Sequence, residues 1–300
     1  MRNNRVWVQE ESELAGSEMR NPAEMPRKVG IIAGGGLLPG KVAAAAQAAG
    51  RDVFIIGLAG FADQAVLAPW PHEVRRLGMA GAIIATLRQQ RCQDLVMIGP
   101  VRRPSLLDLR PDAEGAKLLA RIGRAAFAGD DGLLAAVIRI FTEEGFRVIG
   151  AHEIMREAVA PGGVLTKATP DAQAMTDISR GIQVVRLLGS ADVGQCCVVQ
   201  QGLVLAVEAI EGTDAMLARA GALRRDGVGG VLVKLAKPGQ DQRADLPTIG
   251  AETVRNAASA GLRGLAFEAQ ATILADYEAC VLAANQAALF MLGLDLETLS

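Results

Sequence analysis

Between Lys237 and Pro247 the chain reads KPGQDQRADLP, a concentration of charge set between chain-breakers in a protein that is 50% hydrophobic. Just upstream, VLVKLAK alternates as a strand, with Val231, Val233, Leu235 and Lys237 on one face and Leu232, Lys234 and Ala236 on the other. Pro238 and Gly239 break that strand. Asp241, Arg243 and Asp245 follow at two-residue spacing, so an extended backbone projects all three to one side. Pro247 and Thr248 then open a predicted helix through Ala260, with Thr248 as its cap. Lysines, an arginine and two carboxylates are thus delivered to a helix start, where amides favour phosphate. A solvated loop is the alternative.

A second group of carboxylates precedes it. DVGQCCVVQQGLVLAVEAIEGTDAML predicts a hairpin, Gln195 to Gln200 and Leu203 to Ile210, turning at Gln201 and Gly202. Glu208 shares a strand face with Val204 and Ala206. A carboxylate there is costly unless it is paired or binds a cation. Glu211 and Asp214 follow at once, and three carboxylates at a strand end suit a hard divalent cation. Thr213 and Asp214 are equally suited to capping the short helix that begins there.

Near the start, GIIAGGGLLPGKVAAAAQAAG runs from a strand through Gly34, Gly35 and Gly36 into a helix. The spacing Gly35 to Lys41 imitates a nucleoside triphosphate loop, but Val42 replaces the metal-binding hydroxyl and Pro39 removes a backbone donor. The dinucleotide pattern fails at Pro39 as well. What remains is close backbone approach and a helix start favourable to an anion, or a tight turn without a ligand. Arg102, Arg103 and Arg110 lie in a proline-punctuated loop, either facing a phosphate or solvated. Asp130 and Asp131 are candidate caps or ligand contacts. His152 with Glu153 forms AHE, and His72 sits in a loop without a companion.

These residues need a scaffold, and the pattern supplies one. Strands at Lys28, DVFIIG (Asp52 to Gly57), Glu73 to Leu77 and DLVMIG (Asp94 to Gly99) alternate with helices, among them Ala80 to Gln90. That is the layout of an α/β protein with an N-terminal Rossmann-like parallel sheet, residues 28–158, whose ligand lies beyond the carboxyl ends of the strands. A distinct C-terminal α/β domain follows over 159–300, with the ligand in the cleft between the two. Residues 1–27 are polar and aperiodic and read as a mobile tail or an upstream-start extension.

Composition narrows the function further. Charged residues are 21%, well away from a disordered chain. A net charge of -2 and 3% aromatic residues give neither the electrostatic drive nor the stacking platforms for nucleic acid. Cys92, Cys196, Cys197 and Cys280 form no Cys-x-x-Cys pair and read as packing residues. Without an apolar run of about 18 residues or a secretory signal, the expected location is the cytoplasm.

Taken in order, GIIAGGGLLP, GDD, GAHE, DVGQ, GLVLAVEAIEGTDAML and KPGQDQRADLPTIG resemble the UDP-2,3-diacylglucosamine pyrophosphohydrolases of lipid A biosynthesis, of the magnesium-dependent two-domain type. The resemblance runs from Lys28 to about Asp295; valine in DVGQ replaces an expected isoleucine. It implies hydrolysis of the diphosphate of UDP-2,3-diacylglucosamine to UMP and 2,3-diacylglucosamine 1-phosphate (lipid X). It also implies that the family's key carboxylate falls on Asp245; the needs of phosphoryl transfer assign Asp245 to metal binding or base catalysis, with Asp241 and Glu208 or Asp214 as helpers. Glu208, Glu211 and Asp214 are further candidates for the metal, and hard oxygen ligands favour Mg2+ or Mn2+ over zinc. Candidates for substrate contact are Gly34, Gly35 and Gly36 with Arg102 and Arg103, then His152, Thr166, Gln195 and Thr213, and finally Lys234, Lys237 and Arg243. A second copy of the chain and transient contact with the inner membrane surface are candidate partnerships. A nucleotide-sugar-binding regulator without turnover is the rival reading. A Rossmann oxidoreductase is another, weakened because no acidic ribose partner follows the second strand.

Overall fold

The computed structural model describes residues 27–102, 110–123, 129–243 and 246–296. Asp245, Arg103 and the segment read as a tail, apart from Arg27, lie outside the described residues.

The first sheet is built from β1 (Val29–Ala33), β2 (Val53–Leu58), β3 (His72–Arg75), β4 (Asp94–Ile98) and β5 (Arg147–Val148). All are parallel, in the order β3-β2-β1-β4-β5. Both faces of β1 are covered, as expected of a parallel sheet whose strands are continuous apolar runs. Val29, Ile31 and Ala33 pack with helix α1 (Leu38–Ala48), and Ile32 packs with Ile83 and Leu87 of another helix on the opposite face. The helices after α1 are α2 (Gln64–Leu67), α3 (Ala80–Gln89), α4 (Ala113–Ile122), α5 (Gly129–Glu143) and α6 (Ala151–Ile154). Asp130 and Asp131 fall inside the first turn of α5 rather than before it. His72, expected in a loop alone, is in β3. Its Nδ1 lies 2.8 Å from the Trp70 carbonyl and its Nε2 3.1 Å from the Gln64 amide nitrogen.

The second sheet is mixed, ordered β6-β13-β11-β9-β7-β8. Its strands are β6 (Gly163–Val164), β7 (Cys196–Gln200), β8 (Leu203–Val207), β9 (Val231–Lys234), β11 (Gly264–Glu268) and β13 (Phe290–Leu294). β9, β11 and β13 are mutually parallel, and β7 and β8 form the expected antiparallel hairpin. Gln201 and Gly202 turn it with φ of 54° and 77°, the left-handed pair that two-residue hairpins require. Buried Asp177 accepts both turn amides, Gln201 N at 3.1 Å and Gly202 N at 2.7 Å. Asp177 belongs to α7 (Ala172–Ser190), which packs on the sheet face carrying Cys197, Val231 and Val233. The other face carries Cys196, Leu232 and Phe267 under α8 (Thr213–Ala222), α9 (Ala251–Ser259) and α10 (Tyr277–Gln286). Adjacent Cys196 and Cys197 thus serve opposite cores, and all four cysteines are buried and free.

The helix expected from Pro247 starts later. Thr248–Ile249 instead form β10, parallel to β12 (Ile273–Leu274), and Gly250 precedes α9. Thr248 therefore caps nothing; its hydroxyl donates to the Leu246 carbonyl at 3.2 Å. The two sheets meet here. Leu246 and Ile273 are buried in the same apolar cluster as Val29, Ile31 and Val42. Lys41 Nζ of α1 reaches Asp276 Oδ2, at the start of α10, at 2.9 Å.

Candidate functional site

In the first sheet the order reverses between β1 and β4, and the carboxyl ends at such a switch point are where open α/β sheets bind ligands. The glycine turn lies there, but its glycines answer to the neighbouring strand. Gly34 N donates to the Ile98 carbonyl at 2.8 Å and Gly35 N to Pro100 at 3.0 Å. A Cβ on Gly34 would collide with the carbonyls of Gly99 and Pro100. Two amides expected for an anion are thus spent on backbone crossing, and Gly36 (φ +74°) supplies the reversal into α1. Lys41, the lysine of the loop-like spacing, is spent on Asp276. Arg102 is exposed just beyond β4.

The second sheet gathers more chemistry, at the carboxyl ends of β9 and β11. Lys234 is the last residue of β9 and is 5% exposed. Its Nζ donates to Thr213 Oγ1 at 3.0 Å and to the Thr248 carbonyl at 3.1 Å. Thr213 Oγ1 in turn donates to Glu208 Oε1 at 2.6 Å, and Glu208 Oε2 accepts from Gln195 N at 3.1 Å. Glu208, just past β8 and 7% exposed, is therefore paired inside the protein. The side-chain oxygen of Gln195 is buried beside it without a hydrogen-bond partner. Burial first, and then the charge of Glu208, push the Cys196 thiol well up, so it stays neutral.

The charged loop continues from that edge. Lys237 forms an ion pair with Asp192, the first residue of DVGQ. Ala236 N donates to Glu268 Oε2, at the end of β11, at 3.0 Å. The loop is not extended at Asp241. Asp241 Oδ1 accepts from Arg243 N at 3.1 Å and Nε at 2.9 Å, and Oδ2 accepts from Nη2 at 2.6 Å. The alternation expected for Asp241 and Arg243 gives way to a closed turn in which each occupies the other. Arg243's hydrogen bonds hold the Asp241 carboxyl below its ordinary range, against the opposing effect of burial. A cleft of about 510 Å3 lies along this loop, lined by Arg186, Lys237, Pro238, Gln240, Gln242 and Glu268.

GAHE comes to the same loop from the first domain. A Cβ on Gly150 would strike the His152 ring and stand 3.0 Å from the Gln242 carbonyl, so Gly150 permits the approach. Glu153 Oε1 accepts from Gly150 N at 2.9 Å, pinning the turn, and His152 Nδ1 is buried without a hydrogen-bond partner. Other candidates are not gathered here. Thr166 sits at the amino end of β13, accepting from Met291 N at 2.9 Å and donating to the Ala168 carbonyl at 3.1 Å. Glu211 is exposed and ion-paired with Arg219. Asp214 accepts from Asn256 Nδ2 at 3.0 Å. Among the described residues no three His, Cys, Asp or Glu side chains converge as a metal centre. Asp192 and Glu268 also shape the loop; the place of Asp192 at the head of DVGQ is its signal in the sequence, and Glu268 has none.

The fold and site define a two-domain α/β protein with a buried lysine and a compact charged loop at the carboxyl ends of its second sheet, met by a histidine turn from the first. Residues 28–158 match the LpxI N-terminal domain and residues 161–292 the LpxI C-terminal domain. The UDP-2,3-diacylglucosamine pyrophosphatase LpxI of Caulobacter vibrioides is 45% identical over 275 residues, covering 90% of this chain and 98% of that protein. The chain belongs to the LpxI family.

Proposed function

We propose that this protein hydrolyses the diphosphate of UDP-2,3-diacylglucosamine, releasing UMP and 2,3-diacylglucosamine 1-phosphate in lipid A biosynthesis. The observation that carries the reading is end-to-end similarity at 45% identity to a UDP-2,3-diacylglucosamine pyrophosphatase, across both domains. A diphosphate repels an incoming water or hydroxide, so cations must offset its charge and a carboxylate must orient the nucleophile. Lys234 is the cation best placed at the strand ends, because its charge is fixed and nearly dehydrated. Asp245 is the carboxylate proposed to orient water, on the strength of its position in RADLPTIG.

Mg2+ or Mn2+ is proposed as cofactor from the family resemblance. The described carboxylates do not fit a metal centre by themselves: Glu208, Glu211, Asp214 and Asp241 each have a protein partner and do not converge. No helix among the described residues is long and apolar enough to cross a membrane. Cytoplasmic location, contact with the inner membrane surface and association with a second copy are proposed alongside the activity.

The test is release of UMP from UDP-2,3-diacylglucosamine by the full chain with added Mg2+ or Mn2+, repeated in excess chelator. Release that the chelator abolishes and metal restores supports both activity and cofactor. Release untouched by chelator removes the cofactor; no release with either metal removes the activity. Substrate bound without release would favour a nucleotide-sugar-binding regulator.

A further inference from the structure

Glu208, Thr213 and Lys234 come from three successive pieces of chain: the exit of β8, the first turn of α8 and the end of β9. Two opposite charges buried this deeply must be matched, or the folded state bears their desolvation. A hydroxyl suits the place between them because it can donate to the carboxylate and accept from the ammonium at once. Thr213 does both, at 2.6 and 3.0 Å. It is also not used as a cap: Gly212 holds the N-cap position of α8 at φ +81°, one residue earlier, with no side-chain cap. The carboxylate points inward at both oxygens, toward Thr213 and the Gln195 amide.

From this geometry we infer that Glu208 is a positioning residue, not a metal ligand. It acts through Thr213 to fix the Lys234 ammonium at the carboxyl end of β9. Two N–H groups of Lys234 are held by Thr213 and the Thr248 carbonyl. The third, with no acceptor among the described residues, is left for a phosphate oxygen of the substrate. Lysine is otherwise a flexible point charge, and the relay removes that freedom before substrate arrives. The inference rests on the pyrophosphatase reading for its ligand, but its geometry can be tested apart from turnover.

The experiment compares full-length wild type with Thr213→Ser, Thr213→Val, Glu208→Gln and the Thr213→Val/Glu208→Gln pair. UMP release is followed across Mg2+ concentrations. Thr213→Val is expected to lower kcat/KM by about tenfold or more, while Thr213→Ser retains most of it. The pair is expected to be no worse than the more impaired single variant, because both changes cut one relay. The Mg2+ concentration giving half-maximal rate stays within about twofold of wild type in every variant. Additive losses, or an Mg2+ requirement raised by Glu208→Gln but not by Thr213→Val, would overturn the inference. Lys234 acetylation by acetic anhydride, read by peptide mass spectrometry on the native proteins, needs no turnover. Slow modification in wild type and Thr213→Ser with faster modification in Thr213→Val supports the relay, and equal rates in all three reject it. Absence of UMP release from wild type would fail the functional reading alone.

Discussion

At the scale of single residues, Asp94 shows a buried carboxylate held for stability. Asp94, fully buried at the start of β4, is met by Arg51 and Arg147 at the amino ends of the strands, opposite the carboxyl-end switch point between β1 and β4. Burial pushes its carboxyl up, but hydrogen bonds from Arg147 and Arg51 outweigh it and hold it below the ordinary range. A carboxyl depressed in the folded state contributes stability above its unfolded value of about 3.9, and that contribution is lost as pH falls through the folded value. Asp94→Asn should therefore cost roughly 2–4 kcal/mol at neutral pH, less than a wholly buried pair because Arg147 is half exposed. The gap in denaturant midpoint between variant and wild type should be flat from about pH 7 to 5 and close only below about 4. A gap independent of pH throughout would mean that shape, not charge, is what Asp94 contributes. Asp245 is the carboxylate proposed above for catalysis. Asp245→Ala should lower kcat by about 100-fold or more while leaving substrate affinity and melting temperature near wild type, as for loss of a group acting in the transition state. Near-normal turnover with a lower melting temperature would make it a structural residue.

At the scale of elements, the sequence is legible where one local rule decides the outcome. Gln201-Gly202 is a hairpin turn because two left-handed residues are needed there, and β9 keeps its alternation because cores lie on both faces. It is illegible where a distant partner decides. Thr248 has a capping residue's chemistry, yet β12 claims its backbone and delays α9 to Ala251. Asp241, Arg243 and Asp245 have strand spacing, yet Arg243 folds back on Asp241. Gly34 and Gly35 look made for a phosphate, yet the exit of β4 takes their amides. The α10 start shows two functions on one side chain: Asp276 Oδ1 accepts from Ala279 N at 3.0 Å while Oδ2 holds Lys41. Asp276→Asn should keep most of the cap and lose the ion pair, costing under about 1 kcal/mol, whereas Asp276→Ala should cost about 0.5–2 kcal/mol more. Thermal or urea unfolding of the two variants separates the effects; equal costs would assign everything to the Lys41 contact.

At the scale of the molecule, the question is whether the two sheets behave as independent bodies. Family boundaries fall between residues 158 and 161, where an isolated antiparallel bridge joins Val159 of the connecting segment to Ile273. The cores do not divide so cleanly. Ile273, 2% exposed, and Leu246 pack in one cluster with Val29, Ile31, Val42 and Ile149 of the first domain. GAHE meets the charged loop just before Leu246, so the contact that brings His152 to the loop rests on the same junction. Truncating Ile273 to alanine removes apolar volume at that junction and should cost about 2–5 kcal/mol. If the junction couples the halves, wild type unfolds in one transition, and Ile273→Ala lowers amide-exchange protection in β1 and α1 as well as in β12. KM for the UDP-linked substrate should then rise, because His152 and the charged loop lose their fixed relation although neither is altered. Protection lost around β12 alone, with β1 and α1 unchanged, would show that the apolar junction does not couple the halves. The approach of the GAHE turn to the charged loop would then have to be fixed by substrate rather than by the fold.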